Sequence, residues 1–161
     1  MTDVQTSGVD APPGGDALPA FGHFIDGKVA EPASRAYLPT DDPFTGKPWA
    51  RIARGTREDV DRAVDAARNA YAQGPWPAMT PSERGRLLWK LGDAITANAE
   101  RLAEIERRDN GKLASEVGAQ IRYMGDYFRY YAGLADKVHS AVIPTDKKGV
   151  FAYTKYEPKG V

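Results

Sequence analysis

A chain of 161 residues with 22 basic and 22 acidic side chains is long enough for one sizeable core and has no net charge to draw it to nucleic acid or an anionic membrane. It contains no cysteine, which excludes disulfides, thiolate metal centres and a cysteine nucleophile within these residues. No run reaches the ~20 apolar residues of a membrane helix, and Asp3 near the start interrupts any secretory pattern, so a reducing cytoplasm is the expected compartment.

Residues 1–20 begin MTDVQTSGVDAPPGGDALP and are rich in Gly, Pro, Ser and Asp. With few large apolar groups to offset the entropy of ordering, they are predicted to form a disordered leader. Two hairpin signals follow. HFIDGKVA places Asp26-Gly27 between apolar residues, the dipeptide that supplies the positive φ angles of a tight turn. DDPFTGKPWARIA sets Pro43 and Gly46 in a second turn before a strand from Trp49 to Ala53. A β region of three short strands is expected.

Three helices are predicted next. Thr56 with Asp59 forms a cap for the first, whose apolar stripe is Val60, Ala63, Val64, Ala67 and Tyr71. GPWP at 74–77 breaks it. Thr80 as N-cap, Pro81 in the first turn and Glu83 closing a capping box start the second. Leu87, Leu88, Leu91, Ile95, Leu102 and Ile105 make its buried face, and Asn110-Gly111 ends it.

The third helix, roughly 113–137, has Val117, Ile121, Phe128 and Ala132 on one face and Tyr123, Tyr127 and Tyr130 on another. Two apolar faces call for two partners, and the earlier helices can cover only one. The last stretch, SAVIPTDKKGVFAYTKYEPKGV, is predicted to be two strands around a polar turn, with an apolar edge that invites pairing.

Local chemistry is sparse. GHFIDGK at 22–28 has the G-x-x-x-x-G-K spacing of a phosphate loop, but Val29 replaces the magnesium-holding hydroxyl and a hairpin follows instead of a helix. A plain turn is the better account. His23 and His139 lie on different elements without ligand spacing, which argues against zinc. Glu100, Glu104 and Glu106 beside Arg101, Arg107 and Arg108 suit solvated ion pairs. The tyrosine stripe admits two readings, a pocket wall or buried packing. From residues alone the chain is an α+β segment without a catalytic set.

Six runs in order carry a resemblance: FIDGK at 24–28, DPFTGKPWARIARGTREDVDRAVDAARNAY at 42–71, TPSERGRLLWKLGDAI at 80–95, RRDNGK at 107–112, RYYAGLADKVHSAVIP at 129–144 and YTKYEPKGV at 153–161. Together they resemble the N-terminal part of the aldehyde dehydrogenase superfamily. Leu113, where Pro is frequent, and Leu134, where Trp is common, are the main departures.

The resemblance implies an α/β parent enzyme. In it, residues 21–138 would be the first part of the cofactor-binding domain, and 139–161 an oligomerisation arm ending where the Rossmann sheet begins. Such a parent oxidises an aldehyde with NAD or NADP: a cysteine attacks the carbonyl, hydride passes to nicotinamide, and water releases the acid. The nucleophile and the cofactor loops are expected beyond Val161, so this chain is expected to be inactive as a fragment, which agrees with its lack of a thiol. The resemblance also places Tyr123 and Tyr127 beside the substrate tunnel. It suggests a monovalent cation, Na+ or K+, held by Asp109 and backbone oxygens of Thr40 and Asp41; capping of local amides by Asp109, or its pairing with Arg107 or Arg108, is the competing account. A homo-oligomer is the expected assembly. The alternative is a stand-alone interaction module that pairs through its exposed C-terminal strand.

Overall fold

The computed structural model describes residues 18–161, so most of the predicted leader lies outside the described residues. Strands β1 (Ala20–Phe21), β2 (His23–Ile25), β3 (Lys28–Ala30), β4 (Tyr37–Asp42) and β5 (Lys47–Ala53) come first. The β region therefore has five strands where three were predicted. β2 and β3 are the antiparallel hairpin that Asp26-Gly27 specifies, with φ of 52° and 72° at the two turn residues. β4 and β5 form the second hairpin, and β1 adds to β5 in parallel, completing a sheet of order β1-β5-β4. β1 was missed because two residues are too few to show a period.

Four helices follow: α1 (Arg57–Gln73), α2 (Pro81–Ala97), α3 (Ala99–Asn110) and α4 (Ala114–Leu134). The helix predicted from Thr80 to Asn110 is two, parted at Asn98. There the backbone leaves the helix (φ −108°, ψ 15°), and the Asn98 side-chain amide donates to Ala94 O. An Asn that bonds its own backbone competes with helix continuation.

The predicted cap at Thr56 and the predicted capping box at Thr80 are both present, and the first is a capping box as well. The Thr56 amide and hydroxyl both donate to Asp59 Oδ2 at 2.8 Å. The Thr80 amide donates to Glu83 Oε2 at 2.8 Å, and the Glu83 amide returns to Thr80 Oγ1 at 3.3 Å. Gly111, at φ 73°, stops α3 in the left-handed conformation that glycine tolerates. The last two strands, β6 (Val142–Ile143) and β7 (Ala152–Tyr153), form an antiparallel ribbon as predicted.

The core lies where α2, α3 and α4 meet. Ala99, Val117 and Ile121 are buried there, with Ile95, Leu102 and Ala103 packed around them. Complete burial of a Val or Ile contributes about 1.5–3 kcal/mol. Leu87 and Leu91, predicted to face this core, are exposed. The buried positions of α2 are Gly85 and Gly92, because α2 and α4 meet backbone to backbone. A Cβ at Gly92 would lie 2.7 Å from the Gly125 carbonyl oxygen of α4. Arg129 of α4 spans the same seam, donating to Asp93 Oδ1 at 2.8 Å and to Thr96 Oγ1 at 3.1 Å. The predicted apolar stripe of α1 is likewise uncovered within the described residues: Val60, Val64 and Tyr71 are exposed, and its one buried residue is Asp59.

Candidate functional site

Thr40 sits on β4 at a register change. It pairs with Ala50 while Asp41 pairs with Pro48, which leaves Trp49 as the extra residue of a β-bulge. Across from it, Asp109 occupies the last turn of α3. The Thr40 hydroxyl donates to Asp109 Oδ1 at 2.8 Å, joining residues 69 positions apart. Arg107 and Arg108 do not pair with Asp109; both bond Glu104, at 2.8 Å in each case. Chiefly through the Arg107 hydrogen bond, Glu104 is held below the usual carboxylate range. Glu106 is lowered by its bond to Lys112. Asp109 is thus left with a hydroxyl at the negative end of a helix, a place where a cation would be favourable.

Beneath this contact lies an open cavity of about 390 Å³, walled by Phe21, Trp49, Ile52, Leu102, Ile105 and Ile121, with Thr40, Glu106 and Asp109 at its polar side. The rings of Phe21 and Trp49 meet at a tilt of 57°, with centroids 6.2 Å apart. Asp41, the third residue of the expected cation site, is exposed and has no side-chain hydrogen bond among the described residues. The hard oxygens of Thr40 and Asp109 fit a monovalent cation in type. Among the described residues no cluster of three His, Cys, Asp or Glu exists that would hold a more demanding metal.

The tyrosines of α4 make a second surface. Tyr123 is 68% exposed and Tyr127 47%, so the buried-packing reading does not hold within these residues. The rings form a ladder, with centroids of Tyr123 and Tyr127 at 6.5 Å and of Tyr127 and Tyr131 at 4.6 Å. The neighbouring Tyr127 hydroxyl raises the Tyr131 phenol above its ordinary value. This face is open to solvent, whereas the opposite face of α4 packs on α2 and α3.

The β6–β7 ribbon is the third feature. Beyond its ladder, the Thr154 amide donates to Ala141 O at 2.9 Å, and the Ala141 amide to Thr154 Oγ1 at 2.8 Å. Val142, Ile143, Phe151 and Tyr153 are exposed along it.

Residues 22–28, with phosphate-loop spacing, form the β2–β3 hairpin. No helix start follows to receive a phosphate, so these residues do not fit a nicotinamide dinucleotide. His23 and His139 are not brought together: His139 is exposed beyond α4, while His23 faces Asp59 on α1.

The architecture and its ordered runs recur in known proteins. The model of the aldehyde dehydrogenase family matches residues 29–161, four-fifths of the chain. The chain belongs to the aldehyde dehydrogenase family. It is 43% identical over 141 residues to a (Z)-2-((N-methylformamido)methylene)-5-hydroxybutyrolactone dehydrogenase of Acinetobacter baylyi, covering 88% of this chain and 28% of that protein. It is 44% identical over 138 residues to the mitochondrial aldehyde dehydrogenase family 2 member B4 of Arabidopsis thaliana, covering 85% of this chain and 26% of that one. Among solved structures, the NAD+ complex of the aldehyde dehydrogenase from Bacillus cereus superposes with a TM-score of 0.79 at 36% identity, over 86% of this chain and 28% of that chain. The chain thus spans little more than a quarter of the length of these aldehyde dehydrogenases. Its mixed α/β architecture is that of the corresponding segment.

Proposed function

We propose that this chain is the N-terminal framework of an aldehyde dehydrogenase whose whole form oxidises an aldehyde to a carboxylic acid with NAD+ or NADP+, through a cysteine thiohemiacetal. The observation that carries this is the family match over residues 29–161 together with a superposition at a TM-score of 0.79 on an enzyme solved with NAD+. The residues in hand hold neither the thiol nor a dinucleotide loop, so chemistry and cofactor contacts belong to sequence other than these 161 residues.

Within that reading, four parts of the chain have distinct tasks. Residues 21–138 brace the cofactor domain. Residues 139–161 act as an oligomerisation arm, supported by the apolar ribbon edge at Val142, Phe151 and Tyr153. Tyr123 and Tyr127 border the route of the aldehyde, supported by their exposure on one ladder of rings. Thr40, Asp41 and Asp109 would hold a sodium or potassium ion, supported by the approach of Thr40 to Asp109; the ion would tie β4 to the end of α3. The proposed compartment is the cytoplasm; no helix among the described residues is long and apolar enough to cross a membrane.

A chimera tests the framework role. Residues 21–161 should replace the matching segment of the Bacillus cereus enzyme and leave aldehyde-dependent reduction of NAD+ intact. In that chimera, Tyr123→Ala should change preference among aldehydes more than melting temperature. A soluble, folded chimera without activity would reject the framework reading. A large fall in melting temperature with unchanged specificity would reject the role given to Tyr123.

A further inference from the structure

Helices that interdigitate side chains are held in height and rotation by the fit of ridges into grooves. Along α2 and α4 the backbones touch instead. A Cβ at Gly92 would stand 2.7 Å from Gly125 O, and one at Gly85 would stand 2.7 Å from Ala132 O, so neither glycine supplies a side chain to interlock. The apolar core sits at the other end of α4, where Val117 and Ile121 pack with Ala99. The C-terminal half of α4 needs a different anchor.

Arg129 supplies it. Its side chain crosses Gly92, since a Cβ there would lie 3.1 Å from Arg129 Cγ. Toward α2, Nε donates to Asp93 Oδ1 at 3.0 Å, and Nη2 donates to the same oxygen at 2.8 Å and to Thr96 Oγ1 at 3.1 Å. Along α4, Nη1 donates to Asp126 Oδ1 at 2.8 Å. The Thr96 hydroxyl carries the network on, donating to Gly92 O at 2.9 Å. A planar guanidinium fork fixes direction as well as distance, which the flexible point charge of a lysine does not. The height and rotation of α4 on α2 are therefore set together. With Arg129 23% exposed and Asp93 56%, the hold is modest.

The tyrosine ladder rides on the far side of the same helix. Tyr127 and Tyr131 flank Arg129 at two residues on either side, which at 3.6 residues per turn points both rings away from α2. Tyr127 in turn meets Tyr123 at 6.5 Å between centroids. We propose that Arg129 is a positioning residue for the aldehyde route: by fixing α4 on α2 it sets where Tyr127 and, through the ladder, Tyr123 stand. This rests on the role given above to Tyr123 and Tyr127.

Arg129→Lys in the Bacillus cereus chimera keeps the charge and removes the fork. The ratio of kcat/KM for benzaldehyde to that for acetaldehyde should change on the order of threefold, through KM rather than kcat, about what a partly exposed ion pair can bias. Asp93→Asn should change it in the same direction. Thr56→Ala, which weakens the cap of α1, should lower the melting temperature and leave the ratio alone. A lower melting temperature with an unchanged ratio in Arg129→Lys overturns the positioning role; if Tyr123→Ala still moves the ratio, the reading of the tyrosines stands without it. If neither moves it, both fall. An equal change in Thr56→Ala reduces the effect to general loosening and also overturns the role. If the Arg129→Lys chimera does not fold, the tyrosine ring resonances of the 161-residue chain carrying Asp93→Asn decide. Those of Tyr123 and Tyr127 must move while the Val117 and Ile121 methyls stay, and unmoved rings reject the proposal.

Discussion

Asp59 accepts four hydrogen bonds and is 3% exposed, so three segments of chain depend on one carboxylate. The Thr56 amide is the largest influence holding it well below the ordinary carboxylate range. A depressed folded-state pKa means that its stabilisation is present above the unfolded value, about 3.9 for Asp, and lost as pH falls through the lower folded value. Melting temperature should therefore drop more steeply between about pH 5 and about pH 2 in the parent chain than in Asp59→Asn, which should be less stable at neutral pH; parallel curves would remove Asp59 from the account. Asp109 offers a second test at this scale. Replacing a large organic cation by potassium or sodium at fixed ionic strength should raise the melting temperature, and Asp109→Asn should cancel the rise. An unaltered ion dependence in that variant would place any cation elsewhere. The two aspartates differ in legibility. Thr56 and Asp59 are three residues apart, so the cap is written locally. Thr40 and Asp109 meet only because the β4–β5 turn packs against the end of α3, and no local pattern encodes a contact across 69 positions; only the family resemblance suggested it.

At the scale of elements, the seam between α2 and α4 decides what the helices can present elsewhere. A Cβ at Gly92 would press on a backbone oxygen at 2.7 Å, so Gly92→Ala should cost about 1–3 kcal/mol by overpacking. Gly133, in α4, has nothing within 4 Å of where a Cβ would stand. Gly133→Ala should instead stabilise by roughly 0.5–1 kcal/mol through helix propensity. Chemical denaturation of the pair checks both signs, and equal effects would contradict the close seam. This seam explains why the buried face of α2 was misassigned from the sequence. Leucine periodicity marks an apolar side, but glycines carry no hydrophobic signal, and here they set the line of closest approach. Leu87 and Leu91 are left exposed beside it. The hairpins were legible because Asp26-Gly27 and the Pro43–Gly46 turn dictate backbone angles. The break at Asn98 was not, since the apolar spacing runs straight through it.

Among the described residues, many large apolar side chains are exposed and few are buried in the core. Val60 and Val64 on α1, the tyrosines of α4, and Phe151 and Tyr153 on the ribbon are all exposed. Surfaces of this kind mark contacts yet to be made. Sedimentation at increasing concentration should show self-association through the β6–β7 edge, and substitution of Lys at Tyr153 should weaken it; a monomer at every concentration would reject the arm. The central claim is that these residues supply framework and no chemistry. The most direct measurement is aldehyde-dependent NADH and NADPH formation by the purified 161-residue chain, run beside the chimera that carries residues 21–161. The account predicts turnover by the chimera and none by the chain. Aldehyde oxidation by the chain that survives rigorous purification would contradict it.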